Sequence, residues 1–119
     1  MSTIGIIGSR RRDSSWDYDL VENRFLLIYK EGDVIVSGGC KKGGDRFAEI
    51  IARKYGLTII IHYPNWTKYG RGAGFVRNTP IAENSDKLIA CAAKDRKGGT
   101  EDTIKKFSKA HPDGELFLV

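Results

Sequence analysis

Short apolar runs alternate with amphipathic stretches along the 119-residue chain, a pattern that predicts repeated strand–helix units. Strict alternation of this kind, with strands rich in isoleucine and valine, is typical of a parallel sheet covered by helices on both faces. We therefore predict an α/β three-layer sandwich with about five parallel strands, forming a single domain over residues 1–119. The predicted strands are residues 4–8, 33–37, 57–62, 87–92 and 115–119.

Apolar residues at helical spacing predict four helices between these strands. Asp45 stands where an N-cap would stand for the second helix, and Thr100 does so for the last. Pro80 predicts a kink or a split in the third helix. In the first helix the residues that recur at roughly helical spacing are Trp16, Leu20, Phe25, Leu27 and Ile28.

The loops that follow the strands are long and unusual, whereas the loops that precede them are short. They cover residues 8–12, 37–45, 63–78 and 97–100, and they are rich in glycine and basic side chains. Ligands of open parallel sheets bind beyond the carboxyl ends of the strands, near the point where strand order reverses. The sequence therefore predicts a ligand site at this edge.

The loop after the second strand, SGGCKKGGD at residues 37–45, contains four glycines and two lysines. Glycine allows positive φ and lets the backbone approach a ligand closely. The helix that follows offers unpaired N–H groups and the positive end of its dipole. This loop therefore predicts a phosphate site; the alternative is a tight turn with solvated Lys41 and Lys42.

Composition points to an anionic partner, because the formal net charge is +5 and the pI is about 9.3. Cys40 and Cys91 form no CxxC pair, which favours free thiols in a reducing compartment. The N-terminus does not resemble a signal peptide, and no apolar run is long enough to span a bilayer. We therefore expect a cytoplasmic protein with no membrane partner.

The common fingerprints of cofactor and metal sites are absent from the sequence. Neither GxGxxG nor a Walker A loop occurs, and His62 and His111 lack neighbours at metal-ligand spacing. Cys40 lies in a basic loop that favours a thiolate, but no histidine stands near it in sequence to activate it. We expect no metal and no cofactor.

Together, the motifs GSR (8–10), SGGCKKGGDRFA (37–48), YPNWTKYGRGAGFVRN (63–78) and KGGT (97–100) resemble the SLOG superfamily. The likeness covers nearly the whole chain and is closest to the small single-domain YspA-like group. LOG-type phosphoribohydrolases and DprA-like proteins are relatives within that superfamily. The resemblance implies a Rossmann-like fold that binds a nucleotide or a nucleotide-derived ligand.

The resemblance also implies which residues contact the ligand. Asp45 would cap its helix or bind ribose hydroxyls, Arg77 would make a bidentate phosphate contact, and the turn at residues 98–100 would cradle a phosphate. Trp66 and Tyr69 either stack on a base or pack the long loop. The predicted ligand-binding residues are Gly8, Ser9, Arg10, Ser37, Gly38, Gly39, Gly43, Asp45, Tyr69, Arg77, Asn78, Gly98, Gly99 and Thr100.

Three functions are compatible with this pattern, and the leading one is a nucleotide-binding module or sensor. The second is an N-glycosidic hydrolase of a nucleoside monophosphate or related ligand. LOG-type enzymes carry a glutamate three residues after the final threonine of their glycine turn, but Thr103 occupies that position here. Glu101 or Asp102 would have to serve instead. The third is single-stranded nucleic acid binding around Trp66. The sequence is also compatible with a homo-oligomer.

Overall fold

A five-stranded sheet, wholly parallel, forms the centre of the computed structural model, which describes residues 2–119. The strand order is β3-β2-β1-β4-β5, so the chain runs outward from the centre and then crosses to the other half. The order reverses between β1 and β4, which places the expected ligand edge beyond their carboxyl ends. The strands are β1 (Thr3–Gly8), β2 (Val34–Ser37), β3 (Ile59–Ile61), β4 (Lys87–Cys91) and β5 (Glu115–Leu118).

Helices pack on both faces of the sheet, as the alternating pattern predicted. Helices α1 and α2 cover one face, and α4 and α5 cover the other. Among residues 2–119, no helix has the length and apolar character needed to cross a membrane. The helices are α1 (Ser15–Ile28), α2 (Gly44–Tyr55), α3 (Trp66–Tyr69), a 3-10 turn (Gly70–Gly72), α4 (Ala73–Asn84) and α5 (Gly99–Ala110).

Alternation along β1 divides the core into two clusters, because successive side chains of a strand point to opposite faces. Ile4 and Ile6 pack with Phe25 and Phe47 beneath α1 and α2. Ile7 packs with residues of α4 and α5 on the other face. Each fully buried side chain of this size contributes roughly 1.5–3 kcal/mol, so both helical layers are firmly attached.

The two sides of β1 are paired to different extents. β1 pairs with β4 from Ile4 to Gly8, but with β2 only from Thr3 to Gly5. The Ile6 carbonyl therefore lies beyond the last pair between β1 and β2, and the Ser37 hydroxyl contacts it at 2.7 Å. This gap between the two strands is where the buried polar groups of the site lie.

Several local predictions were wrong. The N-caps of α2 and α5 are Gly43 and Gly98, and neither Asp45 nor Thr100 has that position. Helix α4 continues through Pro80 and is not split. Because proline has no N–H, the Val76 carbonyl loses its helical partner, but Val76 is exposed to water.

The structure also corrects the apolar face that was predicted for α1. Trp16 and Leu27 are 71% and 78% exposed, and Val21 and Phe25 make the buried contacts. Helix α3 was not predicted either. It is a single turn whose N-cap, Asn65, accepts a hydrogen bond from the Lys68 N–H.

Candidate functional site

A cavity of about 420 Å³ opens at the carboxyl edge of the sheet, where the strand order reverses. Its walls come from the end of β1 and the loop after it, from α3 and α4, and from the start of α5. A volume of this size is typical of small-molecule sites. The cavity therefore lies where the sequence predicted a ligand site.

The structure brings together nine of the fourteen predicted ligand-binding residues around this cavity. They are Gly8, Ser9, Arg10, Asp45, Arg77, Asn78, Gly98, Gly99 and Thr100. The remaining five lie outside the lining in the part of the chain that the structure describes: Ser37, Gly38, Gly39, Gly43 and Tyr69.

Other lining residues were not predicted as ligand contacts. Lys97 precedes the glycine pair at the start of α5, and its position next to that turn was the signal that could have identified it. Arg71 and Phe75 lie within the long stretch after β3, where the sequence alone does not show which side chains line a cavity. Trp66, which was considered for base stacking or for packing the long loop, and Cys40, which was considered as a nucleophile, both line the cavity.

The start of α5 presents exposed backbone at Gly98 and Gly99 to the cavity. Its N-cap, Gly98, has φ +99° and, within residues 2–119, no side chain caps the helix. A Cβ at Gly98 would meet no atom of the described residues within 4 Å, and one at Gly99 would meet Asn78 Nδ2 at 3.9 Å. Because first-turn N–H groups have no helical partner, this turn suits an anion. Lys97 adds positive charge beside it.

The start of α2, in contrast, already holds an anion from the protein itself. Asp13 Oδ1 accepts hydrogen bonds from the Gly43 N–H at 2.7 Å and from Arg46 Nε at 2.8 Å. The Gly43 N–H bond, followed by the Arg46 bond, lowers the pKa of Asp13 below its ordinary value. The helix terminus that the sequence predicted to hold a phosphate is therefore occupied by a carboxylate.

Packing explains the glycines at the end of the loop after β2. A side chain at Gly44 would overlap the backbone of Ile7 and Gly8, because α2 begins directly against the end of β1. Gly43 has φ +74°, and a Cβ there would overlap the Ser9 carbonyl. These two glycines let the loops after β1 and β2 touch backbone to backbone.

Arg77 and Asn78 of α4 connect the two glycine-rich turns. Arg77 Nη1 donates to the Gly38 carbonyl, and Arg77 Nε lies 3.2 Å from Asn78 Oδ1. Asn78 Nδ2 donates to the Gly99 carbonyl at 3.2 Å and to Asp102 Oδ2 at 3.1 Å. The pair therefore positions both turns as well as lining the cavity.

Asp45 forms a buried polar floor beneath the cavity. Its Oδ2 accepts from the Cys40 N–H at 3.0 Å and lies 3.9 Å from Arg77 Nη1. Burial raises the pKa of Asp45, while the Cys40 N–H and the Arg77 charge oppose this rise. Ser37 Oγ lies 3.0 Å from Asp45 Oδ1 and 2.7 Å from the Ile6 carbonyl. The Ser37 hydroxyl has a single hydrogen, so it can donate to only one of these two oxygens. When it donates to the Ile6 carbonyl, its contact with Asp45 favours a protonated Asp45 carboxyl that donates in return.

The two candidate catalytic acids, Glu101 and Asp102, are bound to other side chains. Glu101 pairs with Arg96 at 2.7 Å, and Asp102 accepts from Asn78 and pairs with Lys106 at 2.9 Å. Among the described residues, Asp45 is the one carboxylate in the cavity lining. The basic residues of the lining are Arg10, Arg11, Arg71, Arg77 and Lys97. The cavity is therefore strongly positive.

Two aromatic rings face the cavity from the α3–α4 side. Trp66 and Phe75 line it and remain 55% and 51% exposed. Exposed ring faces of this kind bind planar heterocycles by stacking. Within residues 2–119, no cluster of three or more His, Cys, Asp or Glu side chains is arranged to hold a metal ion.

The fold is similar to that of a molybdenum cofactor binding protein from the phototrophic bacterium Rippkaea orientalis. The two structures superpose with a TM-score of 0.75 over 98% of this chain and 75% of that chain, at 24% sequence identity. No protein-family model matches the sequence, and no curated protein matches it. The structural likeness shows a Rossmann-like fold for this chain.

Proposed function

We propose that this protein binds a nucleotide or a nucleotide-derived ligand in the cavity at the carboxyl edge, as a binding module or sensor. The observation that carries the proposal is the uncapped start of α5, which opens into a cavity lined by five cations and one carboxylate. A protein of similar fold is named for binding a molybdenum-containing small molecule, which supports a small-molecule site on this framework.

In this proposal the ligand's phosphate lies at residues 98–100, where backbone N–H groups and Lys97 bind it. The planar base lies against Trp66 and Phe75, which line the same cavity. The resemblance of the loop motifs to the SLOG superfamily supports a nucleotide as the ligand class. Asp45 lines the same cavity and remains our candidate for a sugar hydroxyl.

The contacts of Glu101 and Asp102 favour binding over N-glycosidic cleavage. A hydrolase needs a carboxylate that faces the sugar, either to stabilise positive charge or to hold the attacking water. Arg96, Asn78 and Lys106 already engage these two acids. We therefore expect little or no release of free base.

A thermal-shift screen of ribonucleotides, with chromatography of each mixture, tests the proposal. A ligand at about one hundred times its Kd stabilises the fold by about 2.7 kcal/mol, which raises Tm by roughly 10 °C. Lys97→Ala should abolish most of this shift, whereas Lys105→Ala, which removes an exposed lysine of α5, should retain it.

Three results would contradict the proposal. The first is that no nucleotide stabilises the protein, and the second is that both lysine variants respond alike. The third is a rapid release of base that Glu101→Gln or Asp102→Asn abolishes with binding intact, because it would favour the hydrolase. A stronger response to single-stranded oligonucleotides than to mononucleotides would favour nucleic acid as the partner.

The molybdenum cofactor is a second candidate ligand, favoured by the name of the structural neighbour. A cofactor that combined an anionic group with a flat ring would suit the start of α5 and the two aromatic residues. Protein purified without oxygen would then contain molybdenum by elemental analysis, and Lys97→Ala would contain less. Wild-type protein free of molybdenum from cells that make the cofactor would argue against this candidate.

A further inference from the structure

A second, more open depression adjoins the main cavity. Its lining consists of two segments, Arg10 and Arg11 from the loop after β1 and residues 40–42 from the loop after β2. Arg10, Arg11 and Cys40 line both the depression and the main cavity. The two spaces therefore adjoin at these three residues, which brings both within reach of a single extended ligand.

The charges in this depression are only partly compensated. Arg11 makes a bidentate pair with Asp95, with N···O distances of 2.9 and 2.8 Å. Arg10, Lys41 and Lys42 are exposed, and the described residues provide no salt bridge to any of them. Three cations are thus available to an incoming anion.

Solvated surface lysines are the ordinary explanation for such a cluster, but the backbone contacts here argue for more. Gly43 lies against the Ser9 carbonyl, and Gly44 lies against Ile7 and Gly8. These contacts hold the loops after β1 and β2 together, so their like charges cannot separate by loop movement. Asp13 is close enough for the charge of Lys42 to help lower its pKa, but its carboxylate is already bound to the Gly43 N–H and Arg46 and makes no salt bridge with Lys42.

We propose that the ligand carries a second anionic group, which binds to Arg10, Lys41 and Lys42 while the first group binds at the start of α5. This inference rests on the proposed function and narrows its ligand class. The ligand is a nucleoside diphosphate, a longer phosphate ester or a dinucleotide, and not a monophosphate. Arginine binds phosphate oxygens through the planar fork of its guanidinium group, and lysine binds them as a point charge.

Titration calorimetry with nucleoside monophosphates, the matching diphosphates and a dinucleotide tests this inference. Wild-type protein should bind a diphosphate or the dinucleotide at least tenfold more tightly than the monophosphate of the same base. The double variant Lys41→Ala/Lys42→Ala should lose this preference and keep its monophosphate affinity. Lys105→Ala/Lys109→Ala removes the same charge from exposed positions of α5 and should keep the preference.

The outcomes separate this inference from the proposed function. Equal affinity of wild type for the monophosphate, the diphosphate and the dinucleotide, or an equal loss for all three in the double variant, overturns the second anionic site while the nucleotide site stands. Failure of every nucleotide to bind overturns both. A preference for the dinucleotide alone, lost in the double variant, supports the second site and identifies the ligand source.

Cys40 offers an independent readout because it lines both spaces. Cys91 is fully buried, and burial raises its pKa to about 11, so a thiol reagent should label Cys40 first. The diphosphate should slow alkylation of Cys40 in wild type more than the monophosphate does. This difference should disappear in Lys41→Ala/Lys42→Ala. Equal protection by the monophosphate, the diphosphate and the dinucleotide in wild type would overturn the proposal.

Discussion

Two glycine-rich turns lie at the carboxyl edge of this sheet, and their environments are opposite. The turn before α2 is packed against β1, and Asp13 accepts a hydrogen bond from its Gly43 N–H. The turn before α5 borders the cavity, with open space above Gly98 among residues 2–119. Glycine allows a backbone to approach either another backbone or a ligand, so glycine content alone does not distinguish these two uses.

The comparison also explains how the second turn depends on the first. Arg77 reaches the Gly38 carbonyl in one turn, and its neighbour Asn78 reaches the Gly99 carbonyl in the other. The turn before α2, which we call the closed turn, therefore anchors α4. Helix α4 then positions the turn before α5, which we call the open turn. We expect substitutions in the closed turn to affect stability first and those in the open turn to affect binding first.

The sharpest test exchanges glycine for alanine in each turn. Gly44→Ala places a Cβ inside the backbone of Ile7 and Gly8, so we expect a loss of roughly 3 kcal/mol in the free energy of unfolding or a failure to fold. Gly99→Ala has room and should change stability by less than about 1 kcal/mol. Urea denaturation of both variants measures this difference.

Ligand affinity completes that test, because Gly99→Ala narrows the space over the proposed phosphate site. We expect Gly99→Ala to weaken nucleotide binding while it unfolds at nearly the wild-type urea concentration. If Gly44→Ala were as stable as wild type, the two turns would not differ in the way that the packing indicates.

The next test removes the link between the turns. Arg77→Ala leaves the Gly38 carbonyl and the buried Asp45 without their cation, so we expect a loss of roughly 1–3 kcal/mol in stability. Arg71→Ala is the matched control, since Arg71 is an exposed lining residue, and its stability should stay within about 0.5 kcal/mol of wild type. Both variants should bind nucleotides more weakly. Equal stability of the two variants would show that Arg77 does not hold the turns.

The alternation of apolar runs in the sequence predicted the fold, and all five strands lie close to the predicted positions. The sequence also predicted the edge of the sheet at which the cavity lies, since every elaborated loop follows a strand. The use of each turn was not predictable, because it depends on contacts between distant residues. Asp13 lies 30 residues from Gly43, and Arg77 lies 39 residues from Gly38. Neither contact leaves a local signal.

Helix α1 illustrates the same limit. At 3.6 residues per turn, Trp16 and Leu27 lie on nearly the same side of the helix and Phe25 lies roughly opposite them, so they remain exposed while Phe25 packs in the core. Periodicity identifies a helix, but it does not show which side of a broad apolar surface the sheet will cover.

A smaller effect should come from Asp45, whose pKa is raised by burial. The folded protein then binds a proton more tightly than the unfolded chain, so stability falls as pH rises from the ordinary carboxyl pKa of 3.8 to the folded value and is constant above it. Asp45→Asn cannot titrate, so this fall should disappear from its urea-derived stability between pH 4 and pH 8. A wild-type stability that rises relative to the variant over this range would instead indicate an ion pair with Arg77.

Asp13 should show the opposite sign, and the smallest effect, because its carboxylate is a third exposed. The Gly43 N–H and Arg46 lower its pKa, so its contribution to stability is complete above the ordinary value of 3.8 and is lost as pH falls through the folded value. Asp13→Asn keeps an oxygen acceptor but no charge, so its Tm should decline less than that of wild type between pH 4 and pH 2. Asp113→Asn, an exposed carboxylate in the turn before β5, is the control and should follow wild type. If Asp13→Asn also followed wild type, the carboxylate would not act as the anion of the closed turn, and that turn would be available to a ligand.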